Sequence, residues 1–221
     1  MAWVAETYHP DTDLRIQALG RLIRTDAKKV IPMLRSIALE ADNPGAARRA
    51  VFVLAQSGNP EAQMMVVDVA NKGAEPVRVA AVRELGRFGG ANVSQELLKV
   101  YSTANTPVKQ QVVLSLGQRA DTNALLKICQ SERDANLRDA AIVTLGRAGG
   151  REQLRLMYSK ASAREAREAV IRGLFNARDE DGLIRIADQE RDPRLRRYVL
   201  ERLRLMGTPR ARAYLESRNN K

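Results

Sequence analysis

The amino-acid sequence predicts an all-α fold, a right-handed α-α superhelix (α-solenoid) of about seven helix pairs. The first observation is a repeat: the stretch at residues 76–90, PVRVAAVRELGRFGG, recurs along the chain in related form. The second is its pattern, because each copy carries one apolar stripe at helical spacing and stops at a turn that is often glycine-containing. The third is composition, since aromatic residues make up only 4% of the chain. Such a core would consist of small and branched aliphatic side chains between closely packed helices.

One leucine brings the copies into register and defines the buried face of the second helix of each pair. Successive leucines are separated by 32, 31, 31, 29, 29 and 29 residues. Small apolar residues precede them by four positions, and Gly86, Gly117 and Gly146 follow them directly, which predicts a close approach of neighbouring helices. The registered leucines are Leu22, Leu54, Leu85, Leu116, Leu145, Leu174 and Leu203.

Each pair consists of a first helix that is polar on one side and the more regular second helix. The sixth unit departs from the pattern, with Phe175 at the glycine position and Arg178 at the helix stop. The first helices fall in the intervening segments, for example DAKKVIPMLRSIALEAD and PEAQMMVVDVANKG. The second helices are expected within residues 13–25, 44–59, 76–90, 107–120, 136–150, 163–178 and 193–208.

The unbroken repeat predicts a single solenoid domain over residues 1–221. Both ends interrupt a helix pair, so we expect a domain excised from a longer protein. Near the start, Trp3 is expected to cover the open apolar end of the first unit, and His9 to lie on the surface. Cys129 is the only cysteine, which excludes an internal disulfide, and we expect a buried, inert thiol.

These units resemble the HEAT-like repeats of the phycobilisome-lyase type, whose pattern reads approximately VRxxAxxxLGxxG. Here the pattern stands as VRVAAVRELGRFG and LRDAAIVTLGRAG, and the resemblance covers essentially the whole chain. It implies the α-solenoid fold. Its implications for function are broad, because the family includes binding scaffolds, chromophore lyases and DNA-repair enzymes.

The formal charge of +11 is concentrated in one helix layer. The second helices hold all of the excess, and the remaining segments are slightly acidic. Since second helices usually line the concave surface of such solenoids, the groove is expected to be electropositive. The chain contains no signal peptide and no apolar run long enough to span a membrane, which predicts no membrane insertion and leaves the compartment open.

A column of basic residues stands seven positions before the registered leucine. On a helix this position lies about 20° from the leucine, within the buried arc, so these side chains must be paired. Acceptors are expected four residues earlier, where Asp or Asn recurs and can also cap the helix. We interpret the column as a structural ladder and not as a phosphate-binding ridge; its members are Arg15, Arg78, Lys109, Arg138, Arg167 and Arg196.

Two further columns, two residues before and two after the leucine, point away from the core. They mix apolar side chains with arginines and amides, a combination that suits a protein partner with acidic and apolar groups. The candidate partner-binding residues are Phe52, Arg83, Arg87, Leu114, Gln118, Val143, Arg147 and Arg172. The leading hypothesis is a non-catalytic scaffold that binds a protein in the concave groove. The alternative for these columns is a solvated face whose apolar members pack between helices.

Two other functions remain open. A nucleic-acid-binding protein would fit the sequence pI of about 10.3, although the aromatic residues that stack on bases are scarce. A bilin-lyase-like subunit is implied only by the resemblance. The sequence shows no catalytic triad, metal-binding cluster or glycine-rich phosphate loop, so neither an enzyme nor a cofactor is predicted.

Overall fold

The computed structural model describes residues 10–40, 42–90 and 92–219, with side chains for residues 14–40, 42–90 and 92–218. Over these ranges the chain is an all-α solenoid of fourteen helices, without a strand. Trp3 and His9 lie outside the described residues. The helices are α1 (Pro10–Leu22), α2 (Ala27–Leu39), α3 (Pro44–Gln56), α4 (Pro60–Lys72), α5 (Glu75–Leu85), α6 (Val93–Thr103), α7 (Thr106–Gln118), α8 (Thr122–Ser131), α9 (Ala135–Arg147), α10 (Arg151–Lys160), α11 (Arg164–Asn176), α12 (Glu180–Gln189), α13 (Pro193–Met206) and α14 (Pro209–Asn219).

The helices form two compact units, which divide after Ser115, within α7. In the first unit, α2 packs on α3 and α4 packs on α5, and the second helices α3 and α5 pack on each other. In the other unit, the corresponding pairs are α8 with α9, α10 with α11 and α12 with α13. The odd-numbered helices are therefore the second helices of the predicted pairs. None of the described helices has the length and apolar character that crossing a lipid bilayer requires.

Side chains of Asp and Asn begin many of these helices. Asn43 accepts a hydrogen bond from the backbone N–H of Ala46 at 3.0 Å, as predicted for a helix cap. Asp134 and Asp192 cap α9 and α13 in the same way. The capping role predicted for these three side chains is thus confirmed.

The registered leucine is buried in every second helix except the first. From Leu54 to Leu203 these side chains are no more than 1% exposed, whereas Leu22 is 50% exposed. Its neighbour Ile23 is 4% exposed and lies 31 residues before Leu54, which matches the next two spacings. The predicted register of α1 is therefore wrong by one residue. Arg15 in consequence lies one position outside the basic column, on an exposed part of α1, and Ile16 takes the buried position.

The glycine after the leucine lets one second helix touch the next. A Cβ on Gly146 would lie 2.2 Å from the carbonyl oxygen of Gly173 in α11, a contact that no side chain could accept. A Cβ on Gly117 would likewise lie 2.4 Å from Cγ2 of Thr144. In α11 the equivalent residue is Phe175, and the guanidinium of Arg202 in α13 lies 5.8 Å from its ring centroid.

Three consecutive second helices end in the same turn. The registered Leu174 accepts a hydrogen bond from the backbone N–H of Asp179 at 2.9 Å, and Phe175 accepts one from Arg178 at 3.0 Å. This pair of bonds is the Schellman motif, which requires a left-handed residue, usually glycine, after the helix. Equivalent bonds end α7 and α9. The left-handed residues of the three turns are Ala120, Gly149 and Arg178.

Candidate functional site

The candidate partner-binding residues lie on the second helices, at the positions two before and two after the registered leucine. We call this set the second-helix face: Phe52, Arg83, Arg87, Leu114, Gln118, Val143, Arg147 and Arg172. Because the leucine faces the core, helix geometry turns these positions outward. The part in each compact unit is described separately.

In the first unit the face combines two exposed apolar side chains with two exposed arginines. Phe52 is 51% exposed on α3, and Leu114 is 54% exposed on α7. The guanidinium of Arg87 binds the carboxylate of Glu84 at 2.7 Å. Arg83 has no partner among the described residues. This part of the face therefore presents apolar area beside an available positive charge.

In the other unit, both arginines of the face contact a neighbouring second helix. Nε of Arg147 donates to Asn176 at 3.4 Å. Arg172 of α11 forms an ion pair with Asp139 of α9. Burial lowers the pKa of Arg172, but the hydrogen bond with Tyr198 and the charge of Asp139 outweigh burial, so the pKa is raised.

The two remaining members of the face in this unit differ in exposure. Gln118 at the end of α7 is exposed, whereas Val143 of α9 is only partly exposed. The structure thus leaves less free apolar area here than at Phe52 and Leu114.

The basic column reaches the ends of the preceding first helices. Nε of Arg78 donates to the carbonyl oxygen of Ala70 in the last turn of α4 at 3.0 Å. Nε of Arg167 and Nε of Arg196 donate to the carbonyls that follow α10 and α12, at Ala161 (2.8 Å) and Glu190 (3.0 Å). These carbonyls lack intrahelical partners and lie at the negative end of the helix dipole, so a cation stabilises them.

Two other members of the column point to the same kind of place. Nη1 of Arg138 donates to the carbonyl of Glu132, just after α8, at 3.3 Å. The ammonium of Lys109 lies 4.9 Å from the ring centroid of Tyr101, near the end of α6. The described acceptors are thus mostly main-chain carbonyls, whereas the sequence pointed to Asp and Asn side chains. That the column is structural and not a ligand site stays a prediction, which a stability measurement tests below.

A buried carboxylate joins three helices in the second unit. Glu190, only 6% exposed, accepts from the hydroxyl of Tyr158 and from Nη1 of Arg167 at 3.0 Å. Burial raises the pKa of Glu190, but these bonds, the backbone N–H of Asp192 and the charge of Arg167 hold it below its ordinary value. A cavity of about 390 Å³ lies against this cluster. Sequence reasoning missed the cluster because Tyr158 and Glu190 lie 32 residues apart.

A second buried carboxylate, Asp179, serves two helices. Its side chain accepts from the backbone N–H of Gly182 at 3.2 Å, which caps α12, and from Nε of Arg155 at 2.6 Å. A Cβ on Gly182 would lie 2.3 Å from this carboxylate, so the glycine keeps space for the ion pair. The pairing raises the pKa of Arg155. Sequence reasoning did not find this ion pair, because Arg155 and Asp179 lie 24 residues apart.

The chemistry of the remaining groups is limited. Cys129 is buried as expected, and burial raises the pKa of its thiol to about 12. Within the described ranges, no group of three or more His, Cys, Asp or Glu side chains is arranged to hold a metal ion.

Comparison with known proteins identifies the repeat. The sequence model of one family, HEAT repeats, matches residues 31–117 and 65–146, which together span more than half of the chain. No individual curated protein matches the chain.

Proposed function

The chain belongs to the HEAT-repeat family, and we propose on that basis that it is a non-catalytic scaffold that binds a partner protein. HEAT repeats generally serve as protein-interaction scaffolds. We assign the binding to the second-helix face and expect it to line the concave groove. We also propose that the repeats are of the phycobilisome-lyase type, on the pattern VRVAAVRELGRFG.

The observation that carries the proposal is the exposure of large apolar side chains on a face that is otherwise basic and polar. Phe52 and Leu114 are each more than half exposed. Fully burying a side chain of this size is favourable by about 1.5–3 kcal/mol. Since about half of each is already buried, a partner that covers the rest contributes roughly half of that. Apolar anchors of this kind, surrounded by polar groups that exclude water, carry most of the energy of protein interfaces.

We expect the arginines of the face to affect the orientation and the association rate of a partner more than its affinity. Arg83 is the arginine without a partner in the described ranges, so it is available to an acidic group. Arg87 already contacts Glu84 beside it, and Arg147 and Arg172 each contact the neighbouring second helix. An acidic partner that binds them must replace these existing contacts, so the gain in binding free energy is small. Their positive potential still attracts and orients such a partner.

A photo-crosslinking experiment tests the proposal. A benzophenone amino acid replaces Phe52 or Leu114 in the full chain, which is then illuminated in cells that make the protein natively. We expect a discrete adduct with a second protein that resists nuclease and disappears after protease treatment.

The matched control places the same photoreactive group at Met64, which is 60% exposed on the first helix α4. Adducts of equal yield from Met64 would indicate non-specific contact and contradict the assignment to the second-helix face. A nuclease-sensitive adduct from Phe52 or Leu114 would contradict a protein partner.

A further inference from the structure

The C-terminal ends of three second helices enclose a cleft of about 430 Å³. We call it the turn cleft; it lies wholly within the unit that follows Ser115. This volume falls within the range of known ligand pockets. Its lining residues are Arg147, Phe175, Asn176, Arg178, Leu205 and Met206, together with Glu180 and Thr208.

Apolar and positive groups alternate around the turn cleft. Leu205 at the end of α13 is 65% exposed, the highest value among the large apolar side chains of the described residues. Arg147 and Arg178 are both exposed. The only lining carboxylate, Glu180, already accepts a hydrogen bond from the hydroxyl of Thr208. The cleft therefore offers positive charge beside an uncovered apolar surface.

Arg178 occupies a backbone conformation that favours glycine. Its φ is +50°, in the left-handed region, where the side chain of an L-residue crowds its own backbone. The equivalent turns after α3, α9 and α13 use Gly58, Gly149 and Gly207. The side chain of Arg178 has no partner in the part of the chain that the structure describes. An arginine here makes the turn less favourable and gains no described side-chain contact.

We propose that the turn cleft binds an acidic peptide segment that also carries a large apolar side chain. The carboxylates would pair with Arg147 and Arg178, and the apolar side chain would cover Leu205 beside Phe175 and Met206. Charge complementarity favours an acidic peptide, because the cleft has two arginines and one carboxylate, Glu180, which is already bound by Thr208. The inference rests on the proposed protein-binding function and names the chemistry of the partner at this end of the face.

The test measures binding of fluorescein-labelled hexapeptides to the full chain at low ionic strength, by fluorescence polarisation. Every peptide carries two glutamates beside one leucine or phenylalanine, and a matched set carries glutamines in place of glutamates. We expect some of the glutamate peptides to bind and none of the glutamine peptides. Arg178→Gly and Leu205→Ser should each weaken binding by roughly tenfold or more.

The stability of Arg178→Gly gives the inference a second, independent readout. Because glycine suits the left-handed turn, its melting temperature should equal or exceed that of the wild type. Ala120→Gly changes the same turn after α7 and should leave peptide binding unchanged. Arg185→Gln removes an exposed arginine from α12 and controls for net charge. Arg178→Gln, which keeps a long side chain, should lose binding as Arg178→Gly does.

The inference would be overturned if no glutamate peptide binds, if the glutamine peptides bind equally well, or if Arg178→Gly and Arg178→Gln both bind like the wild type. Preferential binding of a random duplex oligonucleotide that depends on Arg178 would also overturn it. Failure here with specific crosslinks from Phe52 and Leu114 would remove the turn cleft and leave the proposed function intact. Arg178-dependent peptide binding without those crosslinks would support the turn cleft and contradict the proposed binding at Phe52 and Leu114.

Discussion

In four repeats, one arginine donates a hydrogen bond to a carbonyl at the end of the preceding helix. Arg167 donates two bonds, to the carbonyl of Ala161 and to the carboxylate of Glu190. Arg15, which the sequence assigned to the same column, lies exposed on α1 because the register there is shifted. Arg167 is therefore a candidate for a structural role, whereas Arg15 shares only its place in the sequence pattern.

We predict that Arg167→Ala lowers the free energy of unfolding by about 2–3 kcal/mol, because it leaves a helix-end carbonyl and a buried carboxylate without their donor. Arg138→Ala, with its longer bond, should cost about 1 kcal/mol. Arg15→Ala and Arg147→Ala should stay within about 0.5 kcal/mol, as expected for exposed positions. Urea denaturation of the four variants measures the differences. Equal losses in all four would contradict the structural interpretation of the column.

The thiol of Cys129 should be nearly unreactive in the folded protein. A pKa of about 12 leaves on the order of a thousand-fold less thiolate at pH 8 than an ordinary cysteine has, and burial also blocks the reagent. The rate of reaction with Ellman's reagent checks this expectation, with the same protein in denaturing urea as the control. Native and denatured rates of similar size would contradict the burial of the thiol.

At the scale of the helix, close contact between second helices depends on missing side chains. Gly146 of α9 lies against the main chain of α11, where neither partner can move a flexible group aside. The spacing LG in successive repeats predicted this contact from the sequence. Which atoms meet there could not be predicted, because the pattern does not give the angle between helices.

Gly146→Ala should lower the free energy of unfolding by about 2–4 kcal/mol, because a methyl group must push α9 and α11 apart. Gly89→Ala provides the control, since a Cβ there would meet nothing within 4 Å and the backbone is not left-handed. Its effect should stay within about 0.5 kcal/mol. Thermal denaturation of both variants tests the difference. A well-tolerated Gly146→Ala would contradict the close contact.

The cluster around Glu190 should make the second unit sensitive to acid. Since the folded pKa is lowered, the stabilisation is present above the ordinary pKa of about 4.3 and is lost as the pH falls through the folded value. Glu190→Gln should cost about 1.5–3 kcal/mol at neutral pH and flatten the loss of stability below about pH 4.3. Glu201 is exposed on α13, so Glu201→Gln should change neither the stability at neutral pH nor its loss in acid. Melting curves between neutral and acidic pH check this, and a parallel acid decline in Glu190→Gln would refute it.

For the whole molecule, the 37 lysines and arginines overstate how many cations are available to a partner, although ion pairing leaves the net charge at +11. Several arginines are bound to carboxylates of neighbouring repeats, among them Arg35 to Asp68 and Arg155 to Asp179. The sequence predicts an excess of positive charge in the second helices. It could not show which guanidiniums remain available, since the partners lie about one repeat away.

We therefore expect only weak binding to a random DNA duplex, with a shallow dependence of log K on log salt and no detectable binding at physiological ionic strength. A protein that neutralised many phosphates would instead show a slope of about −0.9 per phosphate contact. A salt titration by fluorescence polarisation measures the slope. Steep dependence with tight binding at moderate salt would favour the nucleic-acid alternative.

The fold class, the repeat length and the helix caps Asn43, Asp134 and Asp192 could be predicted from the sequence because each depends on local pattern. The register of α1 could not, because Leu22 and Ile23 are adjacent apolar residues and identity alone favoured the leucine. Packing of α1 against α2 and α3 distinguishes them. The buried carboxylates and the turn cleft depend on contacts between repeats, which a single helical period does not encode.

The contact between Phe175 and Arg202 limits how the repeats of this chain can be exchanged. Where other repeats place glycine against a short side chain or main chain, this one places a ring beneath a guanidinium. In these contacts, the residue after the leucine of one repeat meets a residue of the next repeat, so the two must fit each other. The units of this array are therefore not interchangeable: a copy of the sixth unit in place of the fifth would set a phenyl ring against the main chain of Gly173.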